Sequence, residues 1–161
     1  MTAVRIRPAT ETDIPALVAL EQSFPEEDRF PARTWRRLLR GQSMAYVAVS
    51  DDEICGAAVY LYRTGTKVAR LYSLTVAPSH RGQGIASALL AAGEADAAAL
   101  MAAGEDDARA RGCDRIRLEV RQSNATAIRL YERHDFRVMA QIPSYYPDGE
   151  TAARMEKPIQ P

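Results

Sequence analysis

Apolar and polar residues alternate over Ala3–Arg7, the period-two signature of a short strand. Thr10-x-x-Asp13 then marks a helix start, with Thr10 as cap and an acidic residue in the first turn. Ile14, Leu17, Val18 and Leu20 give that helix its apolar stripe, and Pro25 and Pro31 bracket a polar loop, Glu26–Phe30. A second helix, Ala32–Arg40, carries Trp35, Leu38 and Leu39 and stops at Gly41. Met44–Val49 and Ile54–Arg63 read as strands joined by the turn Ser50-Asp51-Asp52-Glu53, and Val68–Val76 as a third, stopped by Pro78. A long helical stretch runs from about Gly84 to Arg111 and closes at Gly112. Arg115–Arg121 is a strand, Asn124–Arg133 a helix, and Phe136–Ile142 and Thr151–Lys157 are strands around the turn Pro143–Gly149. This order predicts one α/β domain over residues 1–161, with a mixed and mostly antiparallel sheet.

The long helix contains a near-exact repeat. Leu89–Ala99 (LLAAGEADAAA) is followed directly by Leu100–Ala110 (LMAAGEDDARA), with three substitutions between them. Eleven residues make close to three whole turns, so a tandem duplication of this length keeps the stripe Ile85, Leu89, Leu100 in phase. The expected product is one helix lengthened by about 16 Å and protruding past the sheet. Gly93 and Gly104 each weaken it by about 1 kcal/mol, which makes a break between Ala97 and Gly104 the rival outcome.

Composition narrows the function classes. Lys+Arg and Asp+Glu balance at 21 each, so the chain advertises neither nucleic-acid nor anionic-membrane binding. The N-terminus lacks the apolar core of a secretion signal, and no apolar run has the length of a membrane span. Cys55, Cys113, His80 and His134 fit no metal spacing, and the two cysteines read as reduced thiols of a cytoplasmic protein.

The sharpest chemical signal is Arg81-Gly82-Gln83-Gly84-Ile85-Ala86, after a strand and at the opening of a helix. Its glycines let backbone N–H groups approach an oxygen closely, the helix N-terminus adds a positive field, and Arg81 adds a full charge. A pyrophosphate is the natural occupant. The dinucleotide fingerprint and the phosphate-loop NTPase motif are both absent. A tight strand-to-helix connection is the plainer reading of the same glycines.

The segment resembles the acetyl-CoA signature of the GNAT superfamily, R/Q-x-x-G-x-G/A, at Arg81, Gly84 and Ala86. The resemblance implies that the amides of Arg81–Ala86 bind the CoA pyrophosphate and that Leu74 and Val76 pair with the pantetheine arm through their backbones. The block Leu118–Phe136 (LEVRQSNATAIRLYERHDF) resembles the L-E-V-R-x-S-N-x-x-A-I-x-L-Y-E-x-x-G-F stretch of the ribosomal-protein alanine N-acetyltransferase (RimI-like) family. By that resemblance Asn124 bonds the pantetheine arm, Tyr131 returns a proton to the leaving thiolate, and Glu119 is general base on the incoming ammonium, directly or through water. Glu119 has a plainer reading, an outward strand carboxylate among Arg117 and Arg121. Tyr131 could be a packing tyrosine and Asn124 a helix cap. At Asp135 the family has Gly, a position that often needs positive φ.

Ser144–Ala152 (SYYPDGETA) looks like the Y-Y-x-D-G-x-x-A turn of protein N-terminal acetyltransferases, in which the matching pair, Tyr145 and Tyr146 here, lines the groove for the substrate's first residues. A hairpin whose tyrosines pack on the sheet is the alternative. Glu26, Glu27 and Asp28 could attract a cationic N-terminus or simply be solvated.

The expected fold is therefore the GNAT fold, a twisted mixed sheet flanked by helices and splayed around acetyl-CoA, with an unusually long central helix. The expected activity is acetyl transfer from acetyl-CoA to a protein N-terminal amine, without metal or covalent enzyme nucleophile, in a monomer or homodimer. Acetylation of a small amine or a lysine, and a non-catalytic acetyl-CoA-binding module, are the alternatives.

Overall fold

The structure is a computed structural model describing residues 4–24, 26–80 and 87–159; of Ser23, Glu27 and residues 87–93 only the backbone is described. In chain order the elements are β1 (Arg5–Pro8), α1 (Ile14–Leu20), α2 (Ala32–Arg40), β2 (Met44–Ser50), β3 (Glu53–Tyr62), β4 (Val68–Val76), α3 (Ser87–Ala110), β5 (Arg115–Arg121), α4 (Ala125–Arg133), β6 (Arg137–Ile142) and β7 (Ala152–Pro158). One-turn 3-10 helices flank α1 and precede α3. The seven strands form one sheet in the order β1-β2-β3-β4-β5-β7-β6. All neighbours pair antiparallel except β4 and β5.

β2 is apolar from Met44 to Val49 because both faces of the sheet are covered there. Val47 and Val49 turn toward Leu17, Trp35 and Leu38 of α1 and α2. Tyr46 and Ala48 turn toward α3 and the layer that contains Tyr131. The α1 start is fixed electrostatically as well as by its Thr10–Asp13 capping box: Asp13 is buried and accepts two bonds from Arg7, at 2.8 and 2.9 Å. The Ser50–Glu53 hairpin turn places both Asp51 and Asp52 at positive φ, 51° and 62°, the type I′ geometry that matches strand twist. Cys55 and Cys113 are free and buried.

α3 is one unbroken helix of 24 residues, about 36 Å long, with no reversal between Ala97 and Gly104. Among the described side chains of α3, Asp96, Ala97, Leu100, Met101 and Ala108 are buried. Gly104 is required by contact, since a Cβ there would overlap the ring of Tyr60 at Cε2 and Cζ. Tyr60 in turn donates its hydroxyl proton to the Met101 carbonyl, 3.2 Å away.

The end of α4 shows what the Asp135 departure costs. Phe136 N–H bonds the Tyr131 carbonyl and Asp135 N–H the Glu132 carbonyl, the double bond pattern of a Schellman turn. Its left-handed position is Asp135, at φ 70°. The turn geometry is kept and a non-glycine residue bears the strain. Asp135→Gly should therefore stabilise the protein by about 0.5–1 kcal/mol and raise Tm by roughly 1–4 °C. Thermal unfolding measures it, and a lower Tm would show that the Asp135 side chain has a stabilising role of its own.

Candidate active site

The parallel ladder between β4 and β5 is short. It joins Val68, Ala69 and Arg70 to Arg115, Ile116 and Arg117 and then stops. Beyond it β4 stays paired with β3 as far as Val76, and β5 with β7 as far as Arg121. The two strands thus diverge, and a cleft of about 450 Å³ opens between them. A volume of this order suits a ligand of drug or cofactor size. Leu71 to Leu74 of β4, Leu118 to Arg121 of β5, Asn124, Tyr131, Tyr145 and Tyr146 line it.

Of the expected site residues, Leu74, Glu119, Asn124, Tyr131, Tyr145 and Tyr146 line the cleft. Leu74 and Val76 lie on the part of β4 whose edge toward β5 has no strand partner. A backbone edge of this kind can pair with the amides of a pantetheine arm. Asn124 caps α4, its Oδ1 accepting from Ala127 N–H at 3.1 Å. That bond uses the carbonyl oxygen of the side chain and leaves its NH2 as a donor, and Asn124 lines the cleft. The cap and ligand roles are therefore compatible. Tyr131, on α4, is 9% exposed and packs edge-on against Phe136, ring centroids 5.7 Å apart. Burial pushes its phenol pKa well up, with a smaller push from Tyr146, so the hydroxyl holds its proton across the working pH range. The glycine turn Arg81–Ala86 lies outside the described residues.

Glu119 points into the cleft, and its side chain is 5% exposed. Its neighbours differ from the patch expected of Arg117 and Arg121. Oε2 is 3.3 Å from an Arg70 guanidinium nitrogen and Oε1 accepts from Arg154 at 3.2 Å. Arg117 instead pairs with Glu156, and Arg121 with Asp148 and Glu150. The reason is the sheet: Arg154 on β7 is the cross-strand partner of Glu119, and Arg70 lies on the neighbouring β4.

The opposite wall is built by the β6–β7 connection. Gly149 turns the chain at φ 87°, donating its N–H to the Tyr146 carbonyl at 2.8 Å. Asp148 and Glu150 both hold Arg121, and the Arg121 guanidinium carbon sits over the Tyr146 ring, 4.2 Å from its centre. Tyr145 meets Tyr146 edge to face at 5.0 Å, and its hydroxyl accepts from Arg70 at 2.6 Å. Both tyrosines face the cleft rather than the sheet core, and burial pushes the Tyr146 phenol up to about 12.

Phe24, Asp28, Arg29 and Phe30 add the remaining wall. Their loop is pinned by Glu21, 2% exposed, which accepts from Phe30 N–H at 2.6 Å, and by Arg29, which donates to the Phe24 and Gln22 carbonyls. Phe30 stacks on Tyr72 at 5.5 Å. Of the loop's acidic residues, Asp28 lines the cleft and sits 3.7 Å from Arg121, while Glu26 is exposed. Arg70, Arg154 and Tyr72 escaped sequence reasoning, whereas Phe24–Pro31 is expected as a groove wall by its resemblance. One signal was available, since Arg70 and Tyr72 are two apart on a strand and so share a face.

Comparison with known proteins identifies the family of the chain. The sequence model of the acetyltransferase (GNAT) family matches residues 12–136. An N-alpha-acetyltransferase of Saccharolobus solfataricus is 28% identical over 96% of this chain and 92% of its own length. A streptothricin acetyltransferase of Streptomyces lavendulae is 29% identical over 91% of this chain and 74% of its own. The structure of the ribosomal-protein-S18-alanine N-acetyltransferase of Escherichia coli matches with a TM-score of 0.79 and 26% identity, covering 99% of this chain and 96% of that one. The family match runs from α1 to the end of α4 and includes both strands of the diverging pair, and the chain belongs to the acetyltransferase (GNAT) family as an acetyl-CoA-dependent N-acetyltransferase.

Proposed function

We propose that the acceptor is a protein N-terminal amine, of the ribosomal-protein type, acetylated by direct attack in a ternary complex. The observation that carries this reading is the position of Tyr145 and Tyr146. They are held by Arg70 and Arg121 in the same cleft as Glu119 and Tyr131. Paired aromatic rings with polar tips suit an extended peptide, whose side chains they can sandwich and whose backbone they can bond.

In the step proposed, the amine nitrogen forms a bond to the thioester carbonyl carbon and the carbon–sulfur bond breaks. An N-terminal ammonium has a pKa near 8, so a modest base can release the neutral nucleophile. Glu119 takes that proton through a water, because Arg70 and Arg154 already hold its two oxygens in place. Tyr131 donates a hydrogen bond to the departing sulfur. No covalent enzyme intermediate is needed.

Acetyl-CoA turnover, read as released thiol, over free N-terminal peptides, Nα-blocked lysine peptides, polyamines and streptothricin-like amines tests the acceptor. Free peptide N-termini should turn over and lose activity when blocked. Turnover of small amines alone would favour the second reading, which the streptothricin acetyltransferase relative supports. Binding without turnover of any amine would leave a non-catalytic module.

A further inference from the structure

Glu119 is outnumbered by its partners. Its carboxylate faces two guanidiniums, Arg70 at 3.3 Å and Arg154 at 3.2 Å, and neither arginine pairs with another carboxylate among the described residues. The Nε of each arginine is buried and has no hydrogen-bond partner among the described residues. The cluster therefore holds one positive charge, and donors, beyond what the chain itself satisfies. Farther along β5 the sign reverses: Arg121 alone faces Asp28, Asp148 and Glu150. Arg70 stands level with Arg117 in the β4–β5 ladder. Along β5 the order is thus Arg70, Glu119, Arg121, spread over about 13 Å at roughly 3.3 Å per residue. The acceptor cleft is positive at one end and negative at the other, with Glu119 between.

The pose of Arg70 is fixed on several sides. Nη2 donates to the Tyr145 hydroxyl at 2.6 Å and lies 3.3 Å from Glu119. The guanidinium carbon is 5.7 Å from the centre of the Tyr72 ring, which is itself stacked on Phe30. Even so, 38% of the Arg70 side chain is exposed, and it lines the cleft. The bond from Arg70 uses a lone pair of the Tyr145 oxygen, so Tyr145 keeps its own O–H to donate. A planar guanidinium held in place beside a phenol suits a carboxylate, and one excess charge matches a carboxylate better than a phosphate dianion.

We propose that Arg70 and the Tyr145 hydroxyl bind a carboxylate of the acceptor, the side chain of an acidic second residue. The amine of the first residue then sits beside Glu119 on its Arg121 side, where three carboxylates attract the ammonium. In an extended dipeptide the side-chain carboxylate of residue two lies roughly 6–7 Å from the amine nitrogen. Glu119 and the level of Arg70 are two residues apart along β5, about 7 Å, so the spacings agree. A free amino acid holds its amine and carboxylate only about 3 Å apart and spans less than half of that. Arg70 is thus a specificity-determining residue. The assignment rests on a peptide N-terminus as acceptor and not on which protein carries it.

Peptides that differ only at residue two, as Asp, Glu, Asn, Gln or Lys, test it through ratios of kcat/KM. The wild-type protein should favour Asp and Glu over their amides by about tenfold or more, with Lys poorest. Arg70→Gln should bring the acid-to-amide ratio close to one. Arg70→Lys, which keeps the charge and loses the planar fork, should restore part of it. Tyr145→Phe should lower the ratio several-fold. Because Arg70 also holds Glu119, its variants can slow every acceptor, and a ratio taken within one variant cancels that loss. In the wild-type protein the ratio should fall as salt is raised, a readout that needs no variant to fold. Equal wild-type rates for acid and amide, or a preference for Lys, overturn the carboxylate subsite, as does an Arg70→Gln protein that keeps the wild-type ratio. Free aspartate or glutamate turned over better than any peptide overturns the placement at residue two. Acetylation of small amines and of no peptide overturns the peptide reading and the subsite together; peptide turnover without a preference at residue two overturns the subsite alone.

Discussion

Replacing Glu119 with Gln lowers kcat/KM by about 10²–10⁴-fold, and the loss deepens as pH falls from 9 to 6. The pH dependence comes from the acceptor. Its amine has a pKa near 8, so each unit below that leaves roughly tenfold less neutral nucleophile. An enzyme with a base can use the ammonium form by removing its proton during the reaction, whereas the Gln variant must wait for the neutral fraction. The wild-type to variant ratio therefore grows toward low pH. A second effect comes from Arg70 and Arg154, which keep their charges when Glu119 loses its own. The cleft becomes more positive and should repel a cationic acceptor, raising KM. Glu119→Asp separates the two effects. It keeps the charge and shortens the reach, so KM should recover while kcat stays low. Rate profiles for the three proteins from pH 6 to 9 decide between them. A loss that is flat across pH and confined to KM would reduce Glu119 to a counter-ion that holds the two arginines.

Local pattern and long-range pairing divide what could be read in advance. Strand alternation in Arg115–Arg121 places Ile116, Leu118 and Val120 on the buried side, as observed. The I′ turn at Asp51–Asp52 and the left-handed Asp135 follow from turn and cap chemistry confined to a few residues. The partners of Glu119 are different in kind. Neighbours at i±2 share its face, which made Arg117 and Arg121 the natural expectation, but cross-strand groups come closer and depend on the order β4-β5-β7. Nothing local to Glu119 encodes that Arg154, 35 residues on, stands opposite it. The stack of Phe30 on Tyr72 is hidden for the same reason, since it joins a loop to a strand across the cleft. In α3 the periodicity predicted an unbroken helix and α3 is unbroken.

Tyr131→Phe should lower kcat by about 10²–10³-fold and leave desulfo-CoA affinity within about twofold. Phe preserves the ring that packs on Phe136, so the substitution removes a hydroxyl and little else. What that hydroxyl does is constrained by its surroundings. A thiol has an ordinary pKa near 8.5, and burial drives the Tyr131 phenol far above its usual value. Complete transfer of the phenolic proton to the departing thiolate would therefore run uphill. The same proton is well suited to a hydrogen bond that strengthens as charge builds on sulfur, and the thiolate can take its proton from water afterwards. Stabilisation by a fixed donor predicts a rate defect that changes little between pH 6 and 9, unlike that of the Glu119 variant. It also predicts a smaller defect with acetyl thioesters whose thiols are more acidic, because a better leaving group needs the donor less. An equal defect for every thioester would detach Tyr131 from carbon–sulfur cleavage and leave it a packing residue of α4.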